Sequence, residues 1–310
     1  MRALNVRALI LGLVVAFAPT VGSATDTTDA PVVEAPAKKL LKRGKKKKKN
    51  RLKRQHWPTK RPDGKPPHPP KLGNIPFPEG ERLKYDIKMF DTLAGEAIFA
   101  VGARIEGRGR NTVPLAAFLR SSPFLSKFYR IDDTLKVTVN EANFLPMESS
   151  FRIRENGKKL DYITKFKQFS RLLLSTRTKA AKILKRNFTT VAPVYDALSG
   201  IYAMRRLELQ TGQAFELYVW DGRRERLVQV KVVGDERIWT KLGWFDCTRI
   251  EMSSDITGGF IKKSALDIPA TKGTVWLAKD AARTPVKVST PTKLGTAEAV
   301  LVKRWVEPKT

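Results

Sequence analysis

The sequence predicts an all-β fold, mainly antiparallel: a highly curved half-barrel or β-spiral of about ten or more strands wrapping one or two short helices. Three observations carry this. Apolar and polar residues alternate with period two in runs that begin after Gly80, the pattern of strands with one buried face and one wet face. Turn dipeptides such as Asn156-Gly157 and Asp221-Gly222 separate alternating runs, and such pairs tolerate the positive φ of tight hairpins. Only two short stretches have helical spacing, and a lone helix among many strands suits a sheet that curls around it.

The first strand starts at Glu81. Leu83, Tyr85, Ile87 and Met89 fall on one face and Arg82, Lys84, Asp86 and Lys88 on the other. Gly95 reads as a turn, after which Ala97, Phe99, Val101 and Ala103 resume the pattern. Ser122-Pro123 reads as an N-cap with Pro at the first helical position, and Phe124 and Phe128 lie one helical turn apart. Leu135, Val137 and Val139 form a strand, and Phe151 and Ile153 another. Asn156-Gly157 then turns the chain into Leu160, Tyr162, Thr164 and Phe166. The second helix runs from Asp196 to about Arg206. Asp196 can cap the first-turn amides, that of Ser199 included. Leu198, Ile201 and Tyr202 give an apolar face, and Arg205 and Arg206 sit where the helix dipole favours cations. Strands at 215–219 and 228–232 flank Asp221-Gly222, and four more follow at 244–252, 274–278, 284–289 and 296–302.

Before this region the chain is of another kind. Arg2 and Arg7 precede the apolar run Ala8–Ala18, Pro19 breaks it, and Gly22-Ser23-Ala24 offers small residues. This is a secretory signal peptide with its cleavage site; an uncleaved anchor is the other reading. Lys38 to Lys71 then holds 16 Lys and Arg against one acid, Asp63. Like charges at that density repel, and Leu40, Leu41, Leu52 and Trp57 are too few to offset the entropy of ordering. The division expected is a signal peptide at 1–24, a disordered Lys-rich and Pro-rich tether at 25–71, and a single antiparallel β domain at 72–310. The protein is expected to be exported, periplasmic or associated with the cell envelope, and soluble after cleavage.

Composition narrows the chemistry. The net charge is +29, and the chain has one Cys and two His. One Cys excludes a disulfide scaffold. Both His, His56 and His68, lie in the tether, so the β domain can build no His-based triad and no His-ligated metal site. No phosphate-cradling glycine motif occurs. No catalytic residue, metal ligand or cofactor is assigned. Export argues against nucleic acid as partner. An anionic surface fits the charge instead, through phospholipid head groups, lipopolysaccharide phosphates or peptidoglycan carboxylates. The residues expected to meet it are Lys45, Lys46, Lys47, Lys48, Lys49, Arg51, Lys53 and Arg54; a solvated spacer is the plainer reading of the same run. Cys247 reads as a small buried core residue. Trp239, Trp244 and Trp276 read as core, with a lipid groove as the alternative.

Several stretches carry a resemblance. They are Phe77-Pro78-x-Gly80-Glu81-Arg82-Leu83-x-Tyr85-Asp86, Ser121-x-x-Phe124 leading into Tyr129–Asp133, and Asp196-Ala197-Leu198-Ser199-x-Ile201-Tyr202-x-x-Arg205. Gly234-x-Glu236, Gly243-x-Phe245 and Trp276-Leu277-x-x-Asp280-x-x-Arg283-x-Pro285-Val286-Lys287 follow in order. Over about residues 77–302 the chain resembles the bacterial envelope family called domain of unknown function 3108. The resemblance implies a secreted, curved antiparallel β protein similar in shape to lipoprotein carriers; it implies no activity. The Lys-rich tether departs from it.

The motif residues Asp196, Ser199, Tyr202, Arg205, Trp276, Asp280 and Arg283 are the candidates for a groove or a structural lock. Cap and packing chemistry is the plainer reading for Asp196, Ser199 and Arg205, the apolar helix face for Tyr202, and a turn or local ion pair for Asp280 and Arg283. The expected function is a non-enzymatic envelope protein that binds a lipid-like or protein envelope component while its polybasic tail meets an anionic surface. The alternatives are an envelope hydrolase using carboxylates or Ser/Lys, and an adaptor whose interior is filled by its own helix. An open apolar groove beside 196–206 would favour the binder, a cleft of convergent carboxylates the hydrolase, and a filled interior the adaptor.

Overall fold

A computed structural model describes residues 71–260, 270–292 and 295–308. The expected signal peptide and all of the tether but Lys71 lie outside them. Fifteen strands form one sheet in which every neighbouring pair but one is antiparallel. The first eight are β1 (Glu81–Met89), β2 (Thr92–Val101), β3 (Thr112–Ser121), β4 (Asp132–Asn140), β5 (Pro146–Glu155), β6 (Lys158–Lys167), β7 (Leu172–Lys179) and β8 (Lys182–Thr189). The others are β9 (Val194–Asp196), β10 (Ala214–Trp220), β11 (Arg224–Thr240), β12 (Gly243–Gly259), β13 (Thr271–Ala278), β14 (Pro285–Thr292) and β15 (Gly295–Val306). Two helices interrupt them, α1 (Pro123–Ser126) and α2 (Ala197–Met204). The strand order is β8-β7-β6-β5-β4-β3-β2-β1-β15-β14-β13-β12-β11-β10-β9.

That order dictates the curl. β8 and β9 are the two edges, yet the chain passes between them through residues 190–193 alone. Five residue steps reach at most roughly 18 Å. Fifteen strands laid flat would hold their edges roughly 67 Å apart, at about 4.8 Å per strand gap. The sheet therefore rolls up until its edges are neighbours. Side chains close the seam: the Gln168 amide donates to the Val194 carbonyl at 2.8 Å and accepts from the Val194 N–H at 3.1 Å, as a strand partner would. Behind it, Trp220 Nε1 donates to Thr164 Oγ1 at 3.0 Å, and the Phe188 and Trp220 rings pack at 5.0 Å.

One inner face runs around the coil. In register, Leu217 opposes Val228, Val230 opposes Met252, Val275 opposes Val288, Ala299 opposes Ile87, Tyr85 opposes Ala97, Ala117 opposes Leu135 and Phe151 opposes Tyr162. These residues join one hydrophobic core, and all eight residues of α2 are buried in it. The sequence gives α2 an apolar stripe; enclosure buries every side.

Three local readings change. Gly95 is not a turn: it lies inside β2 beside a bulge, where a Cβ would stand 2.4 Å from the Arg120 carbonyl oxygen. The turn is made by Phe90 and Asp91, whose φ values of 49° and 56° are both left-handed. Trp239 and Trp244 are not core: they are 61% and 57% exposed and pack on each other at 5.3 Å. A bulge between Val232 and Gly234 in β11 shifts the parity of that strand and sets Trp239 directly opposite Trp244. Beyond it Ile238, Cys247, Trp276, Ala278 and Val286 form a satellite core, and Lys241 at the hairpin tip pairs with Asp86 of β1 at 2.8 Å. Burial pushes the Cys247 thiol up to about 12, helped by Asp246, so it stays a protonated packing group.

The start of β11 is pinned against the end of β12. Gly259 has φ 113°, and a Cβ there would lie 2.3 Å from the Arg223 carbonyl oxygen. Neither backbone can yield cheaply, so Gly259→Ala is expected to cost roughly 1–3 kcal/mol. Thermal unfolding checks this: at roughly 2–4 °C per kcal/mol for a domain of this size, the midpoint should fall several degrees. An unchanged midpoint would mean the two strands are free to part there.

Candidate functional site

α2 runs through the coil and is fixed at both ends. At its start Asp196 ends β9 in extended conformation and caps the helix. Its Oδ1 accepts from Leu198 N at 2.9 Å and Ser199 N at 3.3 Å, and Ser199 Oγ accepts from Asp196 N at 2.8 Å. The pair forms a reciprocal capping box, which satisfies donors that burial would otherwise strand. Asp196 is 1% exposed. Burial raises its carboxyl to about 7, against the pull of the Leu198 and Ser199 amides and with a further push from Asp221.

At the other end Arg205 is fully buried. Its Nη1 and Nη2 donate to the two carboxylate oxygens of Glu81 at 2.6 and 2.7 Å, a bidentate pair. Nε and Nη2 also donate to the Ala282 carbonyl at 3.1 and 2.8 Å. The guanidinium stacks over Phe77 at 4.4 Å and Tyr202 at 5.0 Å. Burial alone would lower its pKa, yet the Glu81 carboxylate more than offsets that and raises it. Burial and the Glu81 charge raise the Tyr202 hydroxyl as well.

The loop between β13 and β14 completes this lock. Asp280 Oδ1 accepts from Thr284 N at 2.9 Å and its Oδ2 from Thr284 Oγ1 at 2.8 Å, while Arg304 pairs with it at 2.9 Å. Arg283 adopts φ 47° and donates to the Leu207 carbonyl. The Asp280-x-x-Arg283 motif is thus a turn that reaches the segment after α2, and its two charges go to different partners. Trp276 is separate: it lies in the satellite core, donates Nε1 to Glu236 at 2.9 Å and carries Lys287 over its ring at 5.2 Å.

The structure therefore divides the motif residues. Asp196 and Ser199 hold the start of α2; Tyr202 and Arg205 stack at its end, and Arg283 bonds the Leu207 carbonyl just beyond it; Asp280 shapes the loop behind them; Trp276 packs on the other face of the sheet. Lys45 to Lys49, Arg51, Lys53 and Arg54 lie outside the described residues. Glu81 was missed as a site residue, although its position carried the signal: it shares the strand parity of Leu83 and Tyr85, which places a carboxylate on the buried face. Arg226 carried the same signal beside Val228 and Val230. It is 1% exposed and donates to Asp221 at 3.1 Å and Ser254 at 3.0 Å. Beside it, burial raises Glu225 to about 7 and lowers Arg224 to about 10.

Two clefts open on the surface, and the second reaches Arg206 just past the end of α2. One, of 930 Å³, lies over β10–β14. It is lined by the cross-strand row Glu216, Gln229, Ser253 and Lys272 and is polar as well as apolar. The other, of 740 Å³, lies between the start of the domain, the β2–β3 turn and the loop after β4. Among the described residues no three His, Cys, Asp or Glu side chains gather as a metal site, and no helix is long and apolar enough to cross a membrane.

Comparison with known proteins gives a family and no activity. No curated protein matches the chain. Among solved structures it is similar to a β-barrel-like protein of domain of unknown function DUF1849 from Brucella abortus, at 10% identity over 74% of this chain and 98% of that one, with a TM-score of 0.48. A Bacteroides fragilis protein described as exported, with a YmcC-like fold, matches at 12% identity over 76% and 100%, with a TM-score of 0.38. The lipoprotein LppX of Mycobacterium tuberculosis matches at 17% identity over 57% and 78%, with a TM-score of 0.23. The family described as protein of unknown function (DUF3108) matches residues 84–302, a span that contains α2 and nearly all of the sheet, and the chain belongs to that family.

Proposed function

We propose that this chain is an exported, non-enzymatic envelope protein that works through its outside: the polybasic segment Lys38–Lys71 associates with an anionic surface, and the folded domain holds an envelope component against its exterior. The observation that carries this reading is the burial of all of α2, sealed at one end by the Asp196–Ser199 box and at the other by the Arg205–Glu81 pair. The coil holds its own helix where a carrier would hold a ligand, which leaves the surface for recognition. Two features of that surface support it. The Trp239–Trp244 pair, with Arg237 over the Trp244 ring at 5.2 Å, presents amphipathic aromatics at a hairpin tip. The chain as a whole carries +29.

The hydrolase alternative gains less. Its best carboxylates, Asp196, Asp221 and Glu225, are 1%, 4% and 9% exposed. Asp196 is engaged as a cap and Asp221 with Arg226.

Binding of the full chain to vesicles of phosphatidylglycerol tests the surface reading. Replacing Lys45–Lys49 by Gln is expected to weaken that binding at 0.01 M salt, since each basic residue near an anionic bilayer is worth roughly 1 kcal/mol. The difference should fade toward physiological ionic strength, as the screening length shrinks from about 30 Å to about 8 Å. Equal binding of both chains at low salt would make the Lys run a mere spacer.

A further inference from the structure

The 740 Å³ cleft has an unbalanced charge. Three guanidiniums line it, Arg104, Arg110 and Arg206, against one carboxylate, Glu141. Arg104 takes that carboxylate at 3.0 Å and also reaches Glu79, which does not line the cleft, at 3.8 Å, so the excess charge rests on Arg110 and Arg206. Arg206 is only 7% exposed, and it donates to carbonyl oxygens alone: Gly73 at 2.8 Å, Glu141 at 3.0 Å and Ala142 at 3.3 Å. Among the described residues no carboxylate lies within ion-pair distance of Arg206 or Arg110. Burial lowers the Arg206 pKa, with Tyr195 and Glu141 pulling the other way. A buried cation with no direct ion pair is costly, and an anion in the cleft would relieve that cost.

The remaining groups are donors too. Asn140 spends its Oδ1 on the Ala142 and Asn143 amides, at 2.9 and 3.3 Å, which leaves its NH₂. Arg110 ends a tight turn in which its N–H donates to the Gly107 carbonyl at 3.1 Å. Gly107 and Gly109 add backbone without a Cβ to the wall, and at Gly107 a Cβ would stand 2.7 Å from the Arg110 oxygen. Guanidinium and amide donors around an open space match the oxygens of a phosphate group. The place of the cleft matters as well. Asn74, in its lining, and Gly73, bonded to the Arg206 carbonyl, lie within three residues of Lys71, where the polybasic segment ends.

From this charge balance we infer that the Arg104–Arg110–Arg206 cleft is a phosphate-binding site, set where the polybasic segment joins the domain. The inference deepens the surface-association reading by naming the group recognised there, and it rests on that reading only for the source of the phosphate.

Calorimetric titration of the full chain tests it, with Lys45–Lys49→Gln as background so that the tail adds no binding of its own. The probes are inorganic phosphate, dihexanoyl phosphatidic acid below its micelle concentration, and acetate as a control. Saturable one-to-one binding of a phosphate probe is expected, and Arg110→Glu, a change at an exposed residue, should weaken it roughly tenfold or more, while Arg110→Lys keeps part of it. Binding of both phosphate probes would assign the site to the phosphate group itself, and binding of the lipid alone would assign it to a head group; either supports the inference. Absence of saturable binding to both, equal binding by the Arg110→Glu chain, or equal affinity for acetate would overturn it. Because the background chain already lacks the five lysines, failure here stays separate from failure of the vesicle experiment.

Discussion

Arg205→Ala is expected to be the most damaging single substitution in the domain. It removes one partner of a pair whose side chains are 0% and 6% exposed and leaves the Glu81 carboxylate buried without its counter-ion. Breaking a buried pair in this way costs roughly 3–5 kcal/mol. At roughly 2–4 °C per kcal/mol, the unfolding midpoint should drop by something on the order of 6–20 °C. The loss should not stay local. Arg205 joins α2 to the start of β1 through Glu81 and to the β13–β14 loop through Ala282, and Phe77 and Tyr202 lose the cation stacked on them. A double substitution separates charge from packing. Arg205→Met with Glu81→Leu removes both ions and keeps apolar volume, so it should recover much of the lost stability. If Arg205→Ala unfolds within a degree or two of the parent, α2 is held by packing alone and the lock assigned to the pair does not exist.

The same pair shows what the sequence reveals and what it hides. The caps were legible because they are local: Ser122-Pro123 and Asp196-x-x-Ser199 name their own bonds within three or four residues. Hairpins with left-handed turn residues were legible for the same reason, as at Asn156 and Gly157, with φ 44° and 80°. Arg205 was legible as a helix-end cation, but its partner lies 124 residues away and no spacing rule connects them. What could have been read is the parity of Glu81, a charge in register with a buried apolar row. β7 and β8 were harder. Leu172-Leu173-Leu174 breaks the alternation, the turn between the strands is Ala180-Ala181 with a left-handed Ala180, and β8 is an edge that exposes Lys182, Ile183, Leu184 and Lys185. An edge strand needs little apolar content, and charge on it protects against pairing with another chain. β3 hid behind Pro114, although Val113, Leu115, Ala117 and Leu119 alternate correctly around it. The bulge after Val232 did carry a signal, since Gly234, with φ 156°, stands inside the alternating run where an isolated Gly marks a bulge; the extra residue sets which face Trp239 meets.

Stability is expected to fall as pH rises from about 4 to about 7, the reverse of ordinary acid denaturation. Asp196 and Glu225 are the cause. Burial raises Asp196 from 3.8 to about 7, against its cap bonds, and raises Glu225 from 4.5 to about 7, against the Thr257 hydrogen bond. In the unfolded chain both lose their protons near pH 4; in the folded chain they keep them to near 7. Across that interval the native state binds more protons, so the slope of unfolding free energy with pH is negative. Stability present below about pH 4 is lost by about pH 7 and stays lost above it. At 1.36 kcal/mol per pKa unit, each carboxyl contributes roughly 2–4 kcal/mol to that loss. Asp196→Asn is a clean probe, since Asn caps a helix about as well as Asp and can accept the Leu198 and Ser199 amides. Glu225→Gln keeps an acceptor for Thr257. The double variant should be more stable than the parent at pH 8, match it near pH 4, and flatten the slope between. Urea unfolding at pH 4, 5, 6, 7 and 8 measures this directly. A parent whose stability rises across that range, with the variant running parallel to it, would mean that both carboxylates are ionised in the fold and are paid for by contacts beyond the cap and the Thr257 hydroxyl.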